Sequence, residues 1–214
     1  MDDNKDRLLS RYCEEAGTPV HDAGVAVHYL PHITPGMVVI DTGAAIGDHT
    51  VAYIQKTGNP KLVHAFECNP DMVECLRHNC PGCNIYGCAL SDRPSTVFFH
   101  ANNDNAGASY CDNCPIGGVQ IAALPLDDFN IQSAGFIKWD LEGYEIKAIR
   151  GARNTIMSGR PVMMIEVIES QMQRAGGSIP ELFALLYELK YRFEPVIGVV
   201  NFRGEYFELC CTPL

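Results

Sequence analysis

"VVIDTGAAIGDHT", residues 38–50, sets branched apolar residues directly against an acid, two glycines and a short polar run. Valine and isoleucine without polar alternation suit a strand buried on both faces, and Gly43 and Gly47 let the backbone turn sharply behind it. Asp48, His49 and Thr50 then open a helix. In an open α/β sheet this strand-turn-helix unit lies where ligands collect, beyond the carboxyl ends of the strands.

The rest of the chain repeats the pattern. Apolar runs at 37–41 (MVVID), 62–67 (LVHAFE), 84–90 (NIYGCAL), 135–140 (GFIKWD) and 161–167 (PVMMIEV) alternate with helical stretches near 47–57, 70–79, 144–158 and 179–190. Such alternation predicts a doubly wound α/β fold with a mainly parallel sheet. "STVFFHA" at 95–101 reads as an extra strand in a hairpin with 84–90, and "YRFEPVI" and "EYFELCCTPL" read as antiparallel strands forming a C-terminal edge. Residues 5–16 read as a short helix. The segment 18–36, broken by Pro19, Pro31 and Pro35, reads as loop-rich, so 1–35 form a leading segment and 36–214 one domain.

With 214 residues and 47% hydrophobic content, the chain can bury one sizeable core. A formal charge of −10 and a pI near 5.1 disfavour nucleic acid and anionic membranes as partners and suit a neutral or cationic small ligand. The N-terminus lacks the pattern of a secretory signal, and no apolar run is long enough to span a bilayer. The expectation is a cytoplasmic protein of open oligomeric state whose ten cysteines are reduced thiols.

The first turn lacks the third glycine of a dinucleotide fingerprint, and Asp41 stands in front of it. An acid there repels pyrophosphate but attracts the ammonium and sulfonium of S-adenosylmethionine (SAM). Glu67, ending the second strand in "HAFECNP", is placed to accept ribose hydroxyls of an adenosyl group.

These stretches, together with "GCALSDRPSTVFF", "NAGASY", "LPLDDF", "IKWDLEGYEIKAIRGA" and "PVMMIEV", resemble the FkbM family of SAM-dependent methyltransferases from about Gly36 to Val167. The resemblance implies a class I methyltransferase (Rossmann-like) fold and methyl transfer to a hydroxyl oxygen of a saccharide or small natural product. Carried over by position, Asp41, Gly43, Ala44, Gly47 and Thr50 match the donor turn. Glu67, Cys68 and Asn69 match the ribose motif, and Ala89, Leu90 and Ser91 the segment beside the adenine. Ala45 stands where the family usually has asparagine and Cys68 where it usually has proline.

Methyl transfer to a hydroxyl needs an aligned acceptor and a base. Asp140 and Glu142 in "KWDLEGYE" are the acids at the fourth strand's end, Asp140 also lying beside the donor; Glu166, His49 and Ser109 are candidates to hold the acceptor. The loop 103–110 is expected to cover the site. Asp140, Glu142 and Glu166 together offer oxygen ligands for a divalent cation. "CPGC" and "CDNC" place Cys80, Cys83, Cys111 and Cys114 at a spacing suited to structural zinc, provided the expected hairpin brings the pairs together. Methylation of nucleic acid or protein, and SAM binding without catalysis, are the competing readings.

Overall fold

The computed structural model describes residues 23–101, 109–197 and 206–214. The helix expected at 5–16 lies outside them. A short helix α1 (Ala23–Tyr29) leads to strand β1 (Val38–Thr42), helix α2 (Asp48–Thr57), β2 (Val63–Phe66), α3 (Pro70–Asn79) and β3 (Asn84–Tyr86). Strands β4 (Ala89–Leu90), β5 (Ser95–His100), β6 (Tyr110–Asp112) and β7 (Val119–Leu124) follow. The chain then runs through β8 (Ala134–Trp139), α4 (Glu145–Arg150), α5 (Arg153–Gly159), β9 (Val162–Val167), α6 (Glu169–Arg174), α7 (Ile179–Glu188), β10 (Tyr191–Ile197) and β11 (Phe207–Pro213).

Local chemistry accounts for the helix boundaries that shape the site. Asn69 caps α3 through its side chain, which accepts from the Asp71 amide at 3.0 Å, and Pro70 follows at the first helical position. The single helix expected over 144–158 is two helices. The Asp127 carboxylate accepts from the Asn154 and Thr155 amides, at 2.9 and 2.8 Å, and so gives α5 its own N-terminal cap.

Seven strands form the main sheet in the order β10-β11-β9-β8-β1-β2-β3. All neighbours are parallel except that β11 runs against both β9 and β10. The reversed strand is therefore one in from the edge, and β10 is the edge strand. On one face, Ile40, Ile137, Trp139, Ile165 and Leu209 pack with Ile146, Ile149, Ile156, Leu182 and Leu186 of α4, α5 and α7. On the other, Val39, Val63, Phe136, Met164 and Cys210 pack with Tyr29 of α1 and Tyr53 of α2. Helices on both faces and a mainly parallel sheet make the fold doubly wound, as the alternation predicts. The segment read as loop-rich contributes α1, because Ala26 and Tyr29 have an apolar layer to enter.

The extra strand is present, but the expected hairpin is not. β7 lies between β4 and β5 in a separate sheet of order β4-β7-β5-β6. Turn residues at 91–94 allowed a hairpin; the apolar positions of "VQIAAL", which bury Ile121 and Ala123, pair better with both strands. The inner face of this sheet packs Ala89, Val97, Phe99, Ile121 and Ala123 on Tyr144, with Leu141, Cys68 and Cys111 at the margin. It thus stands beside the carboxyl ends of β2 and β8, where it walls one side of the site.

Main chain from β1 and β8 meets at Gly43. Its φ is +78°, and a Cβ there would stand 1.8 Å from the carbonyl oxygen of Asp140. Gly43→Ala should therefore destabilise the protein by more than about 2 kcal/mol, from backbone strain and displacement of the β8 loop. Urea unfolding measures this; a midpoint equal to the parent's would contradict the close approach.

Candidate active site

Strand register assembles the site. Asp41 pairs with Lys138, Lys138 with Met164, and Glu166 with Glu208. Residues paired across strands point to the same face, as do residues two apart along one strand. Asp41, Lys138, Glu166 and Glu208 therefore stand on one face of β1, β8, β9 and β11, just above the apolar layer of Val39, Phe136, Met164 and Cys210. Asp140, past the end of β8, donates its carboxylate to the same row and accepts a hydrogen bond from Lys138 Nζ.

A buried lysine is tolerated only when paired. Burial opposes the charge of Lys138, but the carboxylates of Asp140, Glu208 and Asp41 outweigh it and raise its pKa. Its ammonium is held charged. Burial likewise pushes on Asp140, yet Lys138 beside it takes the carboxyl below its ordinary value. At Glu166 burial, then the charge of Asp140, outweighs the opposing charge of Lys138 and carries its pKa up to about 10, and it shares a hydrogen bond with Asp140. At neutral pH Asp140 is the ionised acid of that pair and Glu166 the protonated one.

Asp41 is enclosed, and its Oδ2 accepts from Thr50 Oγ1 at 2.6 Å. Burial raises its pKa to about 6, with Lys138 acting against the rise. Glu67, at the end of β2, accepts from the Ala45 amide at 2.8 Å through Oε2 and from the Asn69 amide at 2.7 Å through Oε1. The carboxylate thus ties the β1 turn to the start of α3. Burial raises its pKa, and the Asn69, Ala45 and Cys68 amides hold it back. The Gly43 and Ala44 amides both donate to the Phe66 carbonyl, at 2.9 and 3.0 Å, which locks the same turn.

Glu142 sits in the loop after β8 with φ +55°. Its carboxylate accepts from Gln171 Nε2 of α6, and burial followed by the charges of Asp140 and Glu145 raises its pKa to about 8. Glu145 holds this loop: Oε1 accepts from the Leu141 amide at 2.8 Å and the Gly143 amide at 3.1 Å. Gly143 is obligatory at φ +103°, since a Cβ there would lie 2.3 Å from the Gln171 carbonyl oxygen. Burial raises the Glu145 pKa to about 7.

His49 lies in the first turn of α2, its Nδ1 bonded to the hydroxyl of Tyr29, and its charge acts on Asp140. Ala89, Leu90 and Ser91 lie at β4 in the second sheet, where the Ser91 amide bonds Leu124 O at 3.0 Å and its hydroxyl donates to Asp92 at 3.3 Å. Ser109 is buried immediately before β6, and residues 103–108 of the expected cover lie outside the described residues.

The four paired cysteines do not converge. Cys80 donates to Gly47 O and Cys83 to Val63 O, both near the β2–α3 side of the main sheet, whereas Cys111 lies on β6 against Cys68, and Cys114 is exposed. Without the hairpin nothing carries one pair to the other, and the four-cysteine zinc site is withdrawn. Among the described residues, the one group of three or more candidate ligands with atoms within 4.8 Å of one another is Asp140, Glu142 and Glu166.

Sequence reasoning passed over Lys138, Glu208, Glu145 and Gln171. Two of these carried a signal: a lysine inside "GFIKWD" and a glutamate inside "YFELCC" are charges in strands that otherwise read as wholly buried, so each demands a partner.

A model of the FkbM methyltransferase domain matches residues 41–193, from Asp41 on β1 to the edge strand. The chain belongs to the FkbM methyltransferase family. Among solved structures, the FkbM fold here is similar to methyltransferase FkbM from Methylobacillus flagellatus KT at 16% identity and TM-score 0.57, covering 97% of this chain and 58% of that one. It is also similar to a TehB-like SAM-dependent methyltransferase from Corynebacterium glutamicum, at 9% identity, TM-score 0.58 and coverage of 99% and 98%. A third similar structure is Streptococcus mutans SMU.1697c in complex with SAH, at 9% identity, TM-score 0.53 and coverage of 92% and 98%. At such identities the likeness is one of fold, that of class I SAM-dependent methyltransferases. The chain spans 58% of the length of the Methylobacillus flagellatus structure. No curated protein matches it by sequence. No described helix is long and apolar enough to cross a membrane.

Lys138→Met should remove the countercharge of Asp140 and destabilise the protein by about 3 kcal/mol near pH 7. The sign with pH follows from Asp140: a depressed carboxyl stabilises above its unfolded value of about 3.9 and loses that contribution as pH falls through its folded value. The gap between variant and parent in urea unfolding should therefore narrow below about pH 4. A gap constant with pH would dismiss the pairing.

Proposed function

We propose that this FkbM-family protein transfers the methyl group of SAM to a hydroxyl oxygen of a saccharide or other small molecule. The observation that carries the reading is Glu67: a buried carboxylate fixed by two backbone amides at the end of β2, across the turn from Asp41. The Ala45 and Asn69 amides each take one oxygen of Glu67 and the Cys68 amide acts on the same carboxylate, which with about four lone-pair sites keeps capacity for donors from the ribose. Asp41, with Thr50, supplies negative charge for the ammonium and sulfonium end. Gly43, Ala44 and Gly47 bring main chain close, Cys68 and Asn69 complete the ribose corner, and Ala89, Leu90 and Ser91 line the adenine side.

SAM supplies a methyl carbon already activated by its sulfonium. The protein's share is to bind the acceptor, align its hydroxyl and take its proton. Asp140, ionised and held by Lys138, orients the hydroxyl as a hydrogen-bond acceptor. Its depressed pKa makes it a weak base, and Glu142, raised to about 8, is the better matched one. His49, Glu166 and Ser109 complete the acceptor surface. The charge of −10 favours neutral acceptors over nucleic acid, and Lys138 provides the positive charge that a divalent cation would otherwise bring to Asp140.

Calorimetry with S-adenosylhomocysteine (SAH), the demethylated donor, tests the donor assignment. Glu67→Ala should weaken SAH at least about ten-fold, as expected for losing hydrogen bonds to a charged group; equal affinity in variant and parent would sink the ribose role. A radiolabelled methyl-transfer screen over saccharides, lipids, peptides and oligonucleotides identifies the acceptor class, and labelling confined to peptides or oligonucleotides would overturn the saccharide reading.

With an acceptor in hand, the rate should rise with pH and level off above about 8, because a raised carboxyl must lose its proton before it can act as base. Glu142→Gln should remove that rise and lower turnover about a hundred-fold while leaving SAH affinity unchanged. A rising limb that persists in Glu142→Gln would give the base role to another group.

A further inference from the structure

The Sγ atoms of Cys68 and Cys111 lie 3.7 Å apart, although the residues are 43 positions apart in sequence, Cys68 in the loop after β2 of the main sheet and Cys111 in the second sheet. Cys68 directly follows Glu67 and precedes Asn69, whose amide holds the Glu67 carboxylate. Cys111 is on β6, in register with Phe99 of β5. Both side chains sit at the margin of the apolar cluster that joins the second sheet to Tyr144, and Leu141, between Asp140 and Glu142, sits there too. This thiol pair therefore links the donor turn, the second sheet and the acceptor loop at one point.

A disulfide needs sulfurs about 2.05 Å apart, so bonding requires a closure of ~1.7 Å between side chains already in contact. Neither sulfur is spent on another described structural role: both cysteines are free thiols, and the expected zinc site does not form. The hydrogen bond to Cys111, then burial, raises the Cys68 thiol's pKa. Cys111 is half-buried, and three residues on Cys114 is exposed, so the peptide carrying Cys111 borders solvent.

We propose that Cys68 and Cys111 form a redox modification site that takes hydrogen peroxide as oxidant and whose disulfide weakens donor binding. Cys111 sulfur attacks the peroxide, the O–O bond breaks, and a sulfenic acid and one water result. Cys68 sulfur then attacks the sulfenic sulfur; the S–O bond breaks, the Cys68 proton leaves with the departing oxygen as a second water, and the S–S bond forms. Two thiols lose two electrons and the peroxide gains them. The new bond draws the Cys68 backbone toward β6 and with it the Asn69 amide, so that Glu67 no longer meets both ribose hydroxyls. Displacements near 1 Å in such constellations cost on the order of ten- to a hundred-fold.

This inference rests on the donor reading above, and one experiment separates the two. The full chain, reduced and then treated with hydrogen peroxide in slight excess, is titrated with SAH by calorimetry and mapped by non-reducing peptide mass spectrometry. The expected result is a Cys68–Cys111 crosslinked peptide, SAH affinity lowered about ten-fold, and recovery of both with dithiothreitol. Cys111→Ser should bind SAH as the parent does and lose all response to peroxide, whereas Cys114→Ser should keep the response. Crosslinking of Cys111 to Cys114 instead, or a Cys68–Cys111 bond that leaves SAH affinity unchanged, overturns the proposal. A reduced protein that fails to bind SAH would overturn the donor reading and with it the coupling, and the peptide map would still decide whether the thiols pair.

Discussion

The ammonium of Lys138 inside the main sheet is the constraint on which the site depends. Four carboxylates converge on the face that carries it, from Asp41 on β1, Asp140 after β8, Glu166 on β9 and Glu208 on β11. A row of that kind without a cation would either take up protons throughout or push its strands apart. With the lysine present the acids differentiate: Asp140 stays ionised, Glu166 becomes protonated, and Asp41 lies between. One buried base thereby sets several protonation states, and the apolar layer beneath, from Val39 to Cys210, keeps water from levelling them.

Around that charged row the chain relies on carboxylates to fix backbone. Glu67 bridges the turn after β1 and the start of α3, Glu145 gathers two amides of the loop bearing Glu142, and Asp127 caps α5. Each acid sits at a loop or helix start where at least one partly or fully buried amide donor would otherwise be unsatisfied. The same economy explains why Gly43 and Gly143 sit where they do: Gly43 lets the β1 turn lie directly on the loop after β8, and Gly143 lets that loop lie on the backbone of α6, so these edges are held by main-chain contact rather than by side-chain packing alone. The second sheet closes the arrangement from the side through Tyr144, Leu141, Cys68 and Cys111.

The departures from expectation share a cause. A helix was hidden in 18–36 because prolines mark breaks without saying what lies between them, and Tyr29 becomes helical in a place where Tyr53 and Phe136 can enclose it. The zinc proposal depended on a hairpin between adjacent strands, and β7 displaced it from far along the chain. In both cases local pattern allowed two outcomes, and long-range burial chose one.

Much of this protein was nevertheless legible residue by residue. The buried parallel strands, the turn at Asp41–Gly47, the acid at Glu67 and the acidic loop at Asp140–Glu142 follow from apolar runs, glycine placement and strand-end charge, all of which act over a few neighbours along the chain. What the sequence could not determine was which of its charges would meet. The pairing of Lys138 with Asp140, the split of pKa values between Asp140 and Glu166, the insertion of β11 and β7, and the contact of Cys68 with Cys111 all join residues distant in sequence. They depend on strand order and register, which are decided by how the whole apolar surface packs and not by any one segment.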